Sequence, residues 1–332
     1  MSVFPTKILV ATDGSEDSQL AATTAVELAQ ETSSELHVIY VLPWPDQGLR
    51  DLWGYDARAR EEASRVFEVP SSEAYLDLVG SPEVDAVVIA SPPSAHAEMV
   101  ELAAAARKHV LCEKPLALAI GDAERAVSAA ARAGVVLQVG FHRRFDRDFM
   151  LAKSRIGQGE LGKIYTFLDS MRDLEPPSPG AIEGPEQALL HDATCHDLDA
   201  ARWLVGEIDE ITTFGATLAS ESLREIGQVD HAITVLRFES GALGVIDESL
   251  TGGFARTRTF LDRFTDAYPR ELAAFTNAIR HGSEAAVTGE DGLAAVVLAT
   301  AAQRSLETKA SVRLRREQSE GRLRYAIDKP VA

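Results

Sequence analysis

Short apolar runs alternate with amphipathic stretches through the first 145 residues of the chain. The runs are rich in branched side chains, which is typical of strands buried on both faces of a sheet. They predict strands at 7–12, 35–42, 85–91, 109–115 and 135–141. The stretches around them predict helices at 16–31, 57–67, 72–79, 94–107 and 120–133. Because strands and helices alternate, we predict an α/β fold with a Rossmann-like doubly wound parallel sheet, a nucleotide-binding domain over 1–145.

After Asp146 the pattern changes. A helix at 147–156 and a glycine-rich turn lead into a strand at 163–171, and a further helix begins near Asp192. Longer alternating strands are predicted at 207–217, 231–238 and 242–249, and helical sequence follows at 256–307. This pattern predicts an α+β substrate and oligomerisation domain over 146–315 with an open, mainly antiparallel sheet. Residues 316–332 are predicted to form a charged, loosely held tail.

Composition excludes several classes of partner. Lys and Arg number 33 against 51 Asp and Glu, which gives a formal net charge of -18. An acidic surface repels nucleic acid and anionic membranes, so we expect neither as a partner. No apolar run approaches the ~20 residues of a membrane span, and the start of the chain lacks the features of a signal peptide. With only Cys112 and Cys195 available, a reducing, cytoplasmic location is expected.

Lys114 is the first candidate for chemistry. It lies in the run Glu113, Lys114, Pro115, which closes a predicted buried strand. Ligands of open parallel sheets bind beyond the carboxyl ends of the strands, where a lysine could hydrogen-bond a substrate hydroxyl and assist proton transfer. A plain surface charge is the alternative interpretation.

Asp192 and His196 form the second candidate pair. They are four residues apart, so on one helix they would share a face. A carboxylate beside a histidine sets its tautomer and stabilises its charged form, which suits a general base. A solvated polar helix face remains the alternative, and no metal-ligand cluster is evident around the pair.

Several motifs, in order along the chain, resemble the glucose–fructose oxidoreductase and inositol dehydrogenase family (Gfo/Idh/MocA). They are EVDAVVIASPPSAHAEMVELAAAARKHVLCEKPLAL at 83–118, GFHRRFDRDF at 140–149, GELGKI at 159–164, DATCHDLDAARWLVG at 192–206 and FESGALGVID at 238–247. The resemblance implies an inositol 2-dehydrogenase-like oxidoreductase that uses NAD or NADP. Its substrate would be a small sugar or polyol, and a homo-oligomer is expected.

The resemblance also implies residue roles. His196, with Asp192 beside it, would take the hydroxyl proton, and Lys114 would hold and polarise the oxygen across the nicotinamide ring. Further residues match positions that line the cofactor cleft in such enzymes: Ser91, Pro92, His96, Glu113 and Arg143. The alternative for Pro92 is a stiff loop, and for Arg143 a solvated charge.

The opening of the chain departs from this family. A G-x-G-x-x-G motif between the first strand and helix is absent, and the match at Gly157, Gly159 and Gly162 has the context of a turn. Residues 7–43 instead resemble universal stress proteins, in which a residue matching Asp13 contacts bound nucleotide. Two alternatives therefore stay open, namely a catalytically impaired fusion and an ATP- or AMP-binding regulatory module.

Overall fold

The structure is a computed structural model, and it describes residues 7–12, 35–40, 71–72, 75–173, 189–251, 264, 266–319 and 322–328. The predicted helices at 16–31 and 57–67, and Asp13 between the first strand and helix, lie outside the described residues. The chain divides into two compact units. The first consists of residues 1–117, 121–142 and 265–289, and the second of residues 118–120, 143–264 and 290–332.

The elements are numbered in chain order. The strands are β1 Lys7–Thr12, β2 Glu35–Tyr40, β3 Ser71–Ser72, β4 Ala86–Ala90, β5 His109–Glu113, β6 Leu137–Gly140, β7 Thr166–Arg172, β8 Ile208–Ala216, β9 His231–Phe238, β10 Leu243–Ser249, β11 Val312–Ser319 and β12 Arg322–Ile327. The α-helices are α1 Tyr75–Val79, α2 Pro93–Ala105, α3 Ile120–Ala133, α4 Arg147–Gly157, α5 Leu189–Asp192, α6 Thr194–Val205, α7 Glu221–Glu225, α8 Ala267–His281 and α9 Gly289–Thr308. A short 3-10 helix spans His142–Phe145.

The first unit contains a six-stranded sheet in the order β3-β2-β1-β4-β5-β6. Each pair of neighbours in this sheet is parallel. Every residue of β4 is buried, because a strand covered on both faces has no polar side. The order confirms the predicted Rossmann-like fold class, and it places the reversal of strand order between β1 and β4.

Helix α8 belongs to the first unit although it is distant in sequence. The Gln138 side chain, on β6, donates from Nε2 to the Glu271 carbonyl at 2.9 Å. The Val139 amide donates to the Val287 carbonyl at 3.1 Å. These bonds fasten the chain around α8 to the last strand of the parallel sheet.

The second unit contains a mixed sheet in the order β12-β11-β8-β9-β10-β7. The β7–β10 pair is parallel, and the other pairs are antiparallel. Along β9 the residues alternate between buried and more exposed positions, so one face of the sheet packs inward and the other is open. The prediction of an open, mainly antiparallel sheet is confirmed.

One prediction for the second unit is wrong. Residues 316–319 and 322–327 do not form a loose tail, because β11 and β12 pair with each other and β11 pairs with β8. The helix expected to begin near Asp192 is confirmed as α6, which starts at Thr194 after the short helix α5 ends at Asp192. The predicted turn before β7 is confirmed, with left-handed φ values of +75° at Gly159 and +63° at Gly162.

Both cysteines, Cys112 and Cys195, are free and buried. Within the described part of the chain, none of the helices combines the length and the apolar character that crossing a bilayer requires.

Candidate functional site

Ser91 and Lys114 lie at the same edge of the parallel sheet. Ser91 directly follows β4, and Lys114 directly follows the neighbouring strand β5. Carboxyl ends of adjacent parallel strands meet at one edge, beside the point where the strand order reverses. Ser91 is buried and Lys114 is half-buried. The sheet therefore presents a buried hydroxyl and a partly accessible amine at the edge where such folds bind ligands.

His96 connects the loops that follow these two strands. Its Nε2 lies 2.7 Å from the Ser91 carbonyl oxygen, and its Nδ1 lies 2.8 Å from the Pro115 carbonyl oxygen. The ring is only 1% exposed. Both nitrogens thus face main-chain acceptors, and His96 holds the Ser91 loop and the Lys114–Pro115 loop together.

Glu113 is packed tightly against the end of β6. Its Oε2 accepts from the Lys114 amide at 3.3 Å. A Cβ built at Gly140 would lie 2.7 Å from the same oxygen, so any larger residue there would displace this carboxyl group. Burial raises the pKa of Glu271 well above its usual range, and the nearby Glu113 charge adds to the rise. The main chain that carries Lys114 is therefore supported by a carboxyl group of restricted position.

The described residues of the first unit fit the nicotinamide half of a dinucleotide. Helix α2 starts directly after Pro92, has Pro93 in its first turn, and has no side-chain cap. Its first-turn amides are thus not occupied by a capping side chain, and helix starts favour negatively charged or polar ligand groups. Pro92 is the stiff entry to this helix, with φ of -55°. The residues around Asp13, where a pyrophosphate would bind in this fold, lie outside the described residues.

His196 and Asp192 occupy neighbouring helices of the second unit. Asp192 ends α5 and is exposed, whereas His196 lies in the first turn of α6 and is 7% exposed. Ala193 between them has helical dihedral angles, φ -90° and ψ -55°. The imidazole is therefore largely shielded, although the carboxylate four residues earlier is accessible. Their action as a pair stays a prediction.

Arg143 is not a solvated charge. Its Nη1 donates to Asp197, the residue after His196, and the two side chains are 11% and 0% exposed. Burial alone would lower the pKa of Arg143, but the charges of Asp197 and its neighbours raise it, so the guanidinium stays charged. The structure thus brings Arg143 to the first turn of α6 through a buried ion pair.

A cluster of buried carboxyl groups surrounds this ion pair. Asp197 lies near Glu248 of β10 and Asp169 of β7, and Asp197 Oδ2 and Glu248 Oε1 are buried with no hydrogen-bond donor beside them among the described residues. Burial and then the Asp197 charge raise the pKa of Glu248 well above its usual range. The same two causes raise the pKa of Asp169 from 3.8 to about 7. Burial is the largest influence on Asp197 and opposes its ionisation, but the Arg143 charge and hydrogen bonding together outweigh burial and lower that pKa. Asp197 is therefore the ionised member, and Glu248 is neutral.

The sequence interpretation missed Glu248 and Asp169, although a signal was present. In β10 the inward positions are Gly244, Ile246 and Glu248. A carboxyl group on the buried side of an otherwise apolar strand face requires a specific partner or a bound proton. Asp197 stands inside the 192–206 motif, but its burial depends on α6 packing against β7 and β10.

Comparisons with known proteins identify two family domains. Residues 21–141 match the model of the oxidoreductase family with an NAD-binding Rossmann fold, and residues 149–292 match the GFO/IDH/MocA C-terminal domain. The chain is 37% identical to myo-inositol 2-dehydrogenase of Thermotoga maritima over 282 residues, which cover 73% of this chain and 84% of the relative. It is 30% identical to the scyllo-inositol 2-dehydrogenase (NAD(+)) of Bacillus subtilis over 293 residues, 77% of this chain and 85% of that protein.

The fold has a close structural counterpart. The crystal structure of a probable dehydrogenase from Thermotoga maritima superposes with a TM-score of 0.80 at 32% identity, covering 92% of this chain and 98% of that one. These comparisons do not support the resemblance to universal stress proteins. The oxidoreductase match begins at residue 21, inside the segment for which that resemblance was predicted.

Proposed function

The chain belongs to the Gfo/Idh/MocA oxidoreductase family, and on that premise we propose that it oxidises a ring hydroxyl of a cyclitol, with inositols as the first substrates to test. NAD, when bound, would supply the acceptor for the hydride of the carbon that carries this hydroxyl. NADP is the alternative acceptor, since the loop after β2 that would discriminate them lies outside the described residues.

The proton of the hydroxyl goes to His196 in this proposal. A base that is 7% exposed exchanges little with bulk water, which favours transfer from a bound substrate. Asp192 favours the imidazolium that forms. Lys114 donates a hydrogen bond to the substrate oxygen and so stabilises the charge that develops there. The cofactor side of the site is lined by Ser91, Pro92 and Glu113. His96 and Arg143 act indirectly, because His96 holds the two loops together and Arg143 holds helix α6.

The observation that supports this proposal most strongly is Lys114 at the carboxyl edge of a sheet with the order 3-2-1-4-5-6, in a chain that matches both family domains. The test is the reduction of NAD and NADP with myo-inositol, scyllo-inositol or glucose, followed at the nicotinamide absorbance. We expect turnover with an inositol, lost in Lys114→Met. The exposed Lys163→Met is the matched control and should retain wild-type turnover.

If the chain is instead a catalytically impaired fusion, the opposite results are expected. The folded protein would then bind NADH weakly or not at all and would turn over no polyol. Turnover that survives Lys114→Met would also contradict the assigned roles. A cytosolic location and the homo-oligomer stay predictions.

The open face of the second sheet supports the homo-oligomer. Large apolar side chains on it are well exposed, with Leu168 at 74%, Phe214 at 66% and Leu243 at 55%. The register aligns Leu168 with Val245 and Val245 with Val235, so the apolar positions form a row across β7, β10 and β9. Contiguous apolar surface of this kind is typical of protein contacts. We propose that a second copy of the chain covers it.

A further inference from the structure

The first turn of α6 is held from both sides of His196. On one side, the Thr194 hydroxyl is in hydrogen-bond contact with the Glu248 carboxyl group and with the Leu189 carbonyl, 3.1 Å away. On the other side, Asp197 accepts from Arg143, and the Asp197 charge acts on the nearby Glu248. Thr194, Asp197 and Glu248 are each 0–1% exposed, and in the described part of the chain Asp197 Oδ2 and Glu248 Oε1 are buried with no other hydrogen-bond partner. Glu248 therefore faces both of the buried polar residues that flank the segment 195–196.

We propose that Glu248 is a positioning residue for His196, which it fixes through Thr194 and Asp197. Glu248 touches neither the predicted substrate nor the cofactor in this account. As a neutral acid it has one donor and can accept at the other oxygen. It donates to Asp197 and accepts from Thr194, so a single side chain on β10 sets the rotation of the helix turn that carries the imidazole.

An ionised Glu248 is less favourable than a neutral one. An ionised Glu248 would place three carboxylates around the single guanidinium of Arg143, since Asp169 of β7 also faces Asp197. Ionisation of buried like charges at hydrogen-bond distance is strongly disfavoured, and a shared proton removes the repulsion. The charged and titratable groups that face Glu248 are Asp197 from α6, Arg143 from the 3-10 helix and, through Asp197, Asp169 from β7.

Two substitutions at Glu248 separate positioning from simple packing. Glu248→Gln is neutral and keeps a donor for Asp197 and an acceptor for Thr194. Glu248→Leu is similar in volume and loses both. Displacement of a catalytic group by about 1 Å costs about 100-fold in rate, so we expect kcat/KM to fall toward that extent in Glu248→Leu. We expect Glu248→Gln to stay close to wild type, with its pH profile of kcat/KM unchanged. Glu225→Leu, at an exposed carboxylate, is the matched control.

A second readout does not depend on turnover. This inference rests on the proposed function for its kinetic part, but the ring signals of His196 can be followed by NMR in every variant. In wild type and Glu248→Gln we expect one narrow set of His196 ring signals with the same titration curve. In Glu248→Leu we expect these signals to be shifted or heterogeneous. Where Glu248→Leu does not fold, Thr194→Val takes its place; it removes the Glu248 contact of the hydroxyl and also its contact with the Leu189 carbonyl.

The outcomes are separable. A folded Glu248→Leu in which His196 titrates as in wild type overturns the inference, and so does a Glu248→Gln that is as impaired as Glu248→Leu. A wild-type protein without polyol turnover contradicts the proposed function instead, and the His196 signals still decide whether Glu248 positions the ring.

Discussion

Arg144 and Asp199 form a two-point ion pair in the second unit, with Nε 2.8 Å from Oδ2 and Nη2 2.6 Å from Oδ1. Both residues are buried, at 7% and 2% exposure. Asp291 at the start of α9 accepts from Arg144 and from Arg202, so the pair connects the chain before α4 with α6 and α9. Parallel donors of one guanidinium to one carboxylate give a strong and directional contact.

Arg144→Ala should strongly destabilise the protein, because it leaves the Asp199 charge buried without its cation. Loss of one partner of a buried pair costs about 3–5 kcal/mol, which urea unfolding would measure. The control is Arg125→Ala, since Arg125 pairs with Asp122 and Glu101 at 59% exposure, and exposed pairs contribute about 0–1 kcal/mol. An Arg144→Ala as mild as Arg125→Ala would show that the pair contributes little.

His191 should make stability depend on pH. It is 5% exposed, and burial lowers its pKa from 6.5 to about 4, against a smaller opposing effect of Glu307. The unfolded chain then binds a proton at His191 more readily than the folded chain does. The contribution of neutral His191 to the free energy of unfolding is therefore complete above pH 6.5 and is lost as pH falls toward 4. A shift of this size corresponds to about 3 kcal/mol.

The measurement compares the free energy of unfolding at pH 7.5 and pH 5 in wild type and in His191→Leu. The wild type should lose more stability than the variant on acidification. The contributions of the other titrating groups are the same in both proteins and cancel in the difference. The exposed His281→Leu should behave as wild type. Equal losses in wild type and His191→Leu would mean that His191 does not resist protonation.

His96→Leu should weaken cofactor binding without removing a direct cofactor contact. The variant loses both bonds to the Ser91 and Pro115 carbonyls, each worth about 1 kcal/mol, and frees the two loops at the carboxyl edge of the sheet. We expect a lower unfolding midpoint and a higher dissociation constant for NADH, measured by fluorescence titration.

A chemical check accompanies this prediction. A neutral imidazole donates through one nitrogen only. Ring ¹⁵N shifts of His96 would show whether one or both nitrogens carry a proton beside the two carbonyls. Wild-type NADH affinity in a folded His96→Leu would contradict the role of His96 in holding the loops.

Leu168→Glu should dissociate the predicted homo-oligomer. The substitution places a charge in the row of apolar side chains across β7, β10 and β9, where its desolvation would oppose association. Light scattering coupled to size exclusion would report the mass. Leu76→Glu is the control, because Leu76 is 63% exposed but belongs to α1 of the first unit. A wild-type monomer, or an unchanged mass in Leu168→Glu, would refute this surface as the contact.

Much of the fold was readable from local pattern. The strands β4, β5 and β6 were predicted close to their observed bounds, because strands covered on both faces require continuous apolar sequence. The end of the chain was misjudged for the opposite reason. Strands β11 and β12 are rich in arginine, and the arginines of β11 pair with Glu210, Glu239 and Asp328, which are set by register and not by hydrophobic period.

The sequence by itself determined the fold class, the family and the candidates Lys114, Asp192 and His196, since these follow from periodicity and from motifs that are contiguous in the chain. Only the tertiary structure decided the state of Arg143, the carboxyl cluster around Asp197 and the function of His96 between two loops. Each of these depends on charges or carbonyls brought together from distant elements. Burial then sets which groups are ionised, and no local pattern contains that information.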